Sequence, residues 1–223
     1  MKLGLVDAGN SRIKAALSDG EGHFERTAIF DYSRLDELRS FITAADVVAV
    51  SSVKSAFDPS SLGKKVMVIT FDNSLVPLNY SRTLGSDRIA KAHFIRYAVG
   101  ELSLIIDFGT ATVVDLIGRE FYGGVILPGA GLWLSSLGSG ADLLPDVRLR
   151  EARRNIGNTT DEAILSGLFE SIKAIIEHFR RTYPHRRRFA TGGFYGFYSR
   201  YLHDFQYEPF AVLRGLYEWV KRI

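Results

Sequence analysis

LGLVDAGNSRIKAALSD (residues 3–19) and LIIDFGTATVVDLIG (residues 104–118) read alike although about 100 residues separate them. In each, a short apolar run ends at Asp-x-Gly with a small polar residue after it, and a second alternating apolar run follows. Alternation on both sides of a glycine-bearing turn is the pattern of a β-hairpin. The first strand of each hairpin ends at Asp7 or Asp107, and the turn holds Gly9 or Gly109. A glycine there lets the backbone approach a ligand with no Cβ in the way.

Outward from the hairpins, the first half of the chain predicts strands over Ala28–Phe30, Val47–Ser51 and Lys65–Thr70 and helices over Ser33–Phe41 and Ser86–Val99. The second half predicts strands over Gly123–Leu127 and Arg188–Ala190, and helices over Leu132–Leu137, Thr160–Thr182 and Ala211–Val220. Hairpins followed by crossover helices indicate mixed α/β sheets, and the duplication indicates two such units. The boundary is expected near Val99–Glu101, giving domains over 1–100 and 101–223.

A hydrophobic fraction of 46% excludes a disordered chain. Lys and Arg outnumber Asp and Glu by 28 to 25, a surplus compatible with anionic ligands but too small for a strong field. Without cysteine there is no disulfide, thiolate metal site or Cys nucleophile. The histidines show no metal-ligand spacing and are read as solvated or packing residues, and Trp133 and Trp219 as core or interface anchors. The run HRRR at 185–188 reads as a solvated turn between a helix and a strand. No apolar run reaches the roughly 18 residues of a membrane helix, and Met1-Lys2 leads straight into a strand rather than a signal peptide. A soluble cytoplasmic protein with no nucleic-acid or membrane partner is expected.

The turn DAGNS offers backbone N–H groups, small hydroxyls and one carboxylate at one place. Phosphates need such donors, and a chelated Mg²⁺ needs an acidic oxygen or its water shell. One Asp-x-Gly is an ordinary hairpin turn; two, one per domain, form the arrangement that clamps a triphosphate. TGGF at 191–194 follows the strand RRFA and either passes flat against a planar ring or makes an ordinary turn. In LGSDRIAKA (84–92), Ser86 reads as a helix N-cap with Asp87 and Arg88 in the first turn, facing a cleft. Asp87 is then either a helix-dipole partner or, with the adjacent guanidinium, half of an acid and anion-binding pair.

The ordered set DAGNSRIK, SSV (51–53), GSDR, DFGTATVVD, GGVILPG (123–129), ADLLP (141–145), NTTDEAILSG and TGG resembles the type III pantothenate kinases over nearly the whole chain. The resemblance implies an α/β chain of two ribonuclease-H-like domains with duplicated phosphate-binding β-hairpins, the actin-like ATPase fold of the acetate kinase–Hsp70–actin class. It also implies a homodimeric kinase that moves the γ-phosphate of ATP, bound with Mg²⁺, to the primary hydroxyl of pantothenate. That transfer gives 4'-phosphopantothenate, the first step of coenzyme A biosynthesis.

By the same resemblance, Asp7, Ala8, Gly9, Asn10, Ser11, Arg12, Ile13 and Lys14 form the first phosphate motif and Thr110 contacts ATP. Asp107 takes the position that holds a monovalent cation, K⁺ or NH₄⁺. Gly85, Ser86, Asp87 and Arg88 match the pantothenate-binding stretch, with Asp87 in the place of the catalytic base and Arg88 beside the substrate carboxylate. Thr160 matches the threonine that reaches pantothenate across the dimer interface, and Tyr80 the substrate tyrosine.

Three positions depart from the family pattern. Ser11 replaces threonine and keeps the hydroxyl, Val113 replaces a second threonine and removes a donor, and Tyr80 lies nearer Gly85 than the family spacing. Two other functions share the fold: a non-catalytic accessory or regulatory relative, and another small-molecule kinase of the superfamily. Intact Asp7, Asp87, Arg88 and Asp107 argue against the first, and the GSDR and GNTT segments against the second.

Overall fold

The alternating apolar runs form the expected hairpins. In a computed structural model that describes every residue except Lys64 and His185, β1 (Leu3–Ala8) pairs antiparallel with β2 (Ile13–Ser18), and Asp7 stands opposite Lys14. His185, the first residue of the HRRR run, lies outside the described residues. β3 (Phe24–Phe30) adds antiparallel to β2, and after α1 (Leu35–Phe41) the chain returns as β4 (Val47–Ser52), parallel to β1. β5 (Lys65–Val68) then pairs parallel with β4, so the sheet order is β3-β2-β1-β4-β5. A cluster that includes Val6, Ile13, Leu17, Phe30, Leu38, Ile42, Val48 and Val50 fills the space between this sheet and α1. Each such side chain contributes about 1.5–3 kcal/mol when fully buried.

α2 (Ser86–His93) continues into a wider π-helical turn over Phe94–Val99, which the Gly100 amide closes by donating to the Ile95 carbonyl at 2.8 Å. A second five-stranded sheet follows. β6 (Ser103–Phe108), β7 (Ala111–Ile117) and β8 (Phe121–Pro128) precede α3 (Ala130–Gly140) and the long α4 (Thr160–Thr182). β9 (Arg187–Thr191), the short α5 (Tyr195–Tyr198), β10 (Gln206–Tyr207) and α6 (Ala211–Val220) complete the chain. Its order, β8-β7-β6-β9-β10, repeats that of the first sheet strand for strand, with β9 parallel to β6 and β10 parallel to β9. The duplication seen in the two Asp-x-Gly segments is thus a duplication of topology.

Two compact units result, one of residues 1–102, 115–123 and 210–223 and the other of 103–114 and 124–209. The sequence reading placed all of 101–223 in the second domain, whereas here α6 packs on α2 within the first unit. α6 buries Leu213, Leu216, Trp219 and Val220 at helical spacing. Gly215 makes the crossing close: a Cβ there would stand 1.8 Å from the Ala90 carbonyl oxygen. Trp219, an anchor as expected, is buried and donates its indole N–H to the Asn73 carbonyl at 3.1 Å. α6 therefore fixes the position of α2, the helix that begins at the GSDR segment. Among the described residues no helix is long and apolar enough to cross a membrane.

Candidate active site

In the first unit three chain segments meet at the ends of β1 and β4. The β1–β2 turn closes through the Gly9 amide, which donates to the Arg12 carbonyl at 3.1 Å. The Tyr32 hydroxyl donates to the Gly9 carbonyl and holds the turn from outside. Burial and the nearby Asp7 charge push the Tyr32 phenol up to about 12. Asp7 stands in register with Ser51 on β4. The Ser51 hydroxyl bonds to that of Ser86 at 3.0 Å, so DAGNS, SSV and GSDR share one corner of the molecule.

The Ser86 expectation needs correction. Gly85, in an extended conformation, is the N-cap of α2, and Ser86 is the first helical residue. Its hydroxyl accepts from the Ser52 amide and donates to the Ser52 carbonyl, both at 2.9 Å, so it ties the helix start to β4 instead of capping α2. Asp87 follows in the first turn with its side chain 26% exposed. A Cβ at Gly85 would fall 2.6 Å from Asp87 Oδ1, so glycine there leaves room for the carboxylate.

Arg88, one residue on, points inward and is almost fully buried. Its Nε and Nη2 both donate to Oδ1 of Asp115, at 3.0 and 2.6 Å. Nη1 reaches the Tyr80 hydroxyl at 3.4 Å, and the guanidinium carbon lies 5.0 Å and 5.1 Å from the ring centres of Tyr80 and Phe121. Tyr80 thus joins the GSDR segment despite its shortened spacing. In this conformation the guanidinium fork that the sequence reading aimed at a substrate carboxylate is engaged with Asp115.

Asp115 and Lys91 were missed by sequence reasoning. Burial pushes the Asp115 carboxyl above its usual range, against the pull of Lys91 and Arg88. Asp115 looks like one polar residue in the alternation of β7, and Lys91 like a solvated helix residue. Both are wholly buried. The second aspartate of DFGTATVVD, enclosed in an otherwise apolar stretch of β7, was the available signal.

In the second unit Asp107 lies near the end of β6, in register with Thr191 of β9. Its Oδ1 stands 3.6 Å from where a Gly109 Cβ would be, and the Gly109 amide donates to the Ala111 carbonyl at 3.0 Å. Gly129, the N-cap of α3, donates its amide to the Thr110 carbonyl at 3.0 Å. A Cβ on Gly129 would be 2.3 Å from the Gly109 carbonyl oxygen. The GGVILPG motif therefore sets the positive end of a helix dipole against the Asp-x-Gly-Thr turn, a location that favours anions.

Gly192 of TGG, at φ +98°, packs its Cα on the Phe108 backbone, where a Cβ would meet main-chain atoms at 2.5 Å. Gly193 beside it is open, with nothing within 4 Å of a Cβ position. Thr160 is exposed at the start of α4, whose cap is Thr159 accepting from the Glu162 amide at 3.3 Å. Arg150 donates to Glu162 at 2.5 Å and holds its carboxyl below the usual range.

An Mg²⁺ that arrives with a triphosphate needs only one or two protein carboxylates. Asp7, near the end of β1 beside a glycine turn, is a carboxylate of the kind such an ion uses.

The type III pantothenate kinase family profile matches residues 4–182. The type III pantothenate kinase of Aquifex aeolicus is 28% identical over 229 residues, covering 97% of this chain and 96% of that protein. Among solved structures, a Campylobacter jejuni protein described as a Baf family transcriptional activator superposes with TM-score 0.70 at 21% identity, covering 98% of each chain. The activator of the 2-hydroxyisocaproyl-CoA dehydratase from Clostridium difficile, solved with ADPNP, superposes with TM-score 0.56 at 12% identity over 99% of this chain and 95% of that one. At those identities the two structures show the fold alone. The profile match spans most of the sequence and carries the assignment: the chain belongs to the type III pantothenate kinase family, ATP-dependent kinases that phosphorylate pantothenate in coenzyme A biosynthesis.

Proposed function

We propose that this chain phosphorylates the primary hydroxyl of pantothenate with Asp87 as the general base. The observation that carries the reading is the corner where Asp7, through Ser51 and Ser86, adjoins the start of α2 and Asp87. Phosphoryl transfer passes through a loose transition state, so the protein mainly positions reactants and stabilises charge. Residues Asp7 to Lys14 and Thr110 bind phosphates of ATP, and bound Mg²⁺ neutralises phosphate charge. Asp87 accepts the proton of the attacking hydroxyl late in the reaction. Gly85 and Ser86 shape the pantothenate side. Tyr80 and Arg88 complete it, with Nη1, the nitrogen that Asp115 does not engage, nearest the Tyr80 hydroxyl.

Asp107 would hold a monovalent cation, K⁺ or NH₄⁺, whose charge would offset the repulsion between that carboxylate and the phosphates. The active unit is a homodimer in which Thr160 reaches the partner's pantothenate, and the protein works in the cytoplasm without nucleic-acid or membrane partners. Support for the dimer comes from the second unit: Val125, Ile126, Leu132, Leu143 and Ile156, on β8 and between it and α4, are all exposed. β8, which carries the first two, is an edge strand. Sedimentation at assay concentration checks this, and an active monomer contradicts it. Purified protein with ATP, Mg²⁺ and K⁺ should release ADP only when pantothenate is added. Pantothenate-independent ADP release, or none at all, would overturn the reading.

A further inference from the structure

A lysine with no exposed surface lies directly beneath the proposed base. Lys91 sits one turn after Asp87 on α2, and its Nζ lies 3.9 Å from Asp87 Oδ2. Full burial of an ammonium costs several kcal/mol unless opposite charge compensates it. Two carboxylates are close enough to act on it electrostatically, Asp87 and Asp115. Asp115 already receives two donated bonds from Arg88 on one oxygen. Among Asp87, Arg88, Lys91 and Asp115 the two signs cancel, and Lys91 supplies positive charge to both Asp87 and Asp115.

A carboxylate that served only the helix dipole would be solvated and would need no buried counter-ion. Asp87 instead has Oδ1 over Gly85 and Oδ2 toward Lys91, which defines the direction in which the carboxylate is presented. α6 keeps this arrangement rigid, because Gly215 packs on Ala90, the residue before Lys91.

We propose that Lys91 is a positioning residue for phosphoryl transfer, a buried counter-ion that fixes the orientation of the Asp87 carboxylate. The proposal rests on Asp87 being the general base. Because Lys91 has no exposed surface, it acts through Asp87 and not by touching ATP or pantothenate. Its absence should misplace the base, and misplacement by about 1 Å can cost about 10²-fold in rate.

The test is a double-mutant cycle with Asp87→Asn, Lys91→Met and the pair together, each assayed for kcat, KM for ATP and Tm. Lys91→Met keeps most of the side-chain volume and removes the charge. It should lower kcat by about 10–100-fold with KM for ATP changed by less than about twofold, and the double variant should be no slower than Asp87→Asn alone. Lys91→Arg, which keeps the charge, should recover part of the rate. Unchanged kcat in Lys91→Met, or losses that multiply in the double variant, would overturn the proposal. Near-native kcat in Asp87→Asn would overturn the base assignment itself and this proposal with it, whatever Lys91→Met does. If Lys91→Met does not fold, Lys91→Gln enters the cycle in its place with the same criteria.

Discussion

The guanidinium of Arg88 places two hydrogen bonds on a single oxygen of Asp115, at 3.0 and 2.6 Å, while the second oxygen of that buried carboxylate has no hydrogen-bond partner among the described residues. The pair is almost fully removed from water, so its geometry fixes where Arg88 and the Tyr80 ring above it can lie. Removing one partner of such a pair leaves a buried charge uncompensated. Asp115→Asn is expected to cost about 3 kcal/mol, roughly 6–12 °C in Tm for a chain of this size. The double replacement Arg88→Met with Asp115→Leu should regain much of that stability yet show no pantothenate-dependent turnover. Thermal melts of the two variants check this; an unchanged Tm in Asp115→Asn contradicts it.

Gly129 is required by contact, since the Gly109 and Thr110 carbonyl oxygens lie 2.3 and 2.4 Å from its missing Cβ. Gly129→Ala must push the second phosphate turn away from the α3 start. Inserted atoms at a tight contact cost about 1–3 kcal/mol. KM for ATP is expected to rise at least about tenfold, one RT ln 10 step of about 1.4 kcal/mol, and a native KM would show that the turn does not bind nucleotide.

Most of the architecture was legible because it is encoded locally. The alternation around Asp7 and Asp107 gave both hairpins, and the bounds of α4 and α6 match the expected helices. What failed depends on tertiary context. Ser86 has the composition of a cap, but β4 supplies better partners for its hydroxyl, and Gly85 takes the cap. The helix over Ser86–Val99 has the right extent but widens at Phe94, a change of hydrogen-bond spacing with no composition signature. α5 and β10 span four and two residues, too short for periodicity to register. Lys91 shows the limit most clearly, since its burial depends on the tertiary packing around α2.

His93 gives the fold a dependence on pH. Burial, with the Arg222 charge adding to it, lowers its ring to about 4 from 6.5. Nδ1 bonds the Ile89 carbonyl at 2.9 Å and Nε2 accepts from the Leu75 amide at 3.1 Å, an arrangement that requires the neutral ring. The unfolded chain takes up a proton below about pH 6.5 that the folded chain refuses until about pH 4. Stability is therefore complete above the first value and falls through that window, by about 3 kcal/mol in all. Denaturant midpoints between pH 7 and pH 4 should show the decline, and His93→Gln should remove this part of it. Equal slopes in the two proteins contradict the assignment.

A monovalent cation at Asp107, as proposed, should make turnover depend on a small monovalent ion. Replacing K⁺ and NH₄⁺ by a bulky organic cation should reduce kcat at least about tenfold, and Asp107→Asn should weaken the dependence as well as the rate. Full turnover without either ion removes the site from the account.

The central claim is that Asp87 takes the proton of pantothenate's hydroxyl. Asp87→Asn keeps the size of the side chain and its place beside Gly85 and Lys91, so packing changes little. A lost helix-dipole charge costs only about 0.3–1 kcal/mol of stability, whereas a lost general base costs about 10²–10⁴ in rate. The decisive measurement is kcat of Asp87→Asn with ATP affinity and Tm determined on the same preparation. The account predicts that kcat falls by about 10²–10⁴ while ATP affinity barely moves, with Tm lowered because buried Lys91 loses a compensating charge; a kcat close to that of the unmodified protein would contradict it.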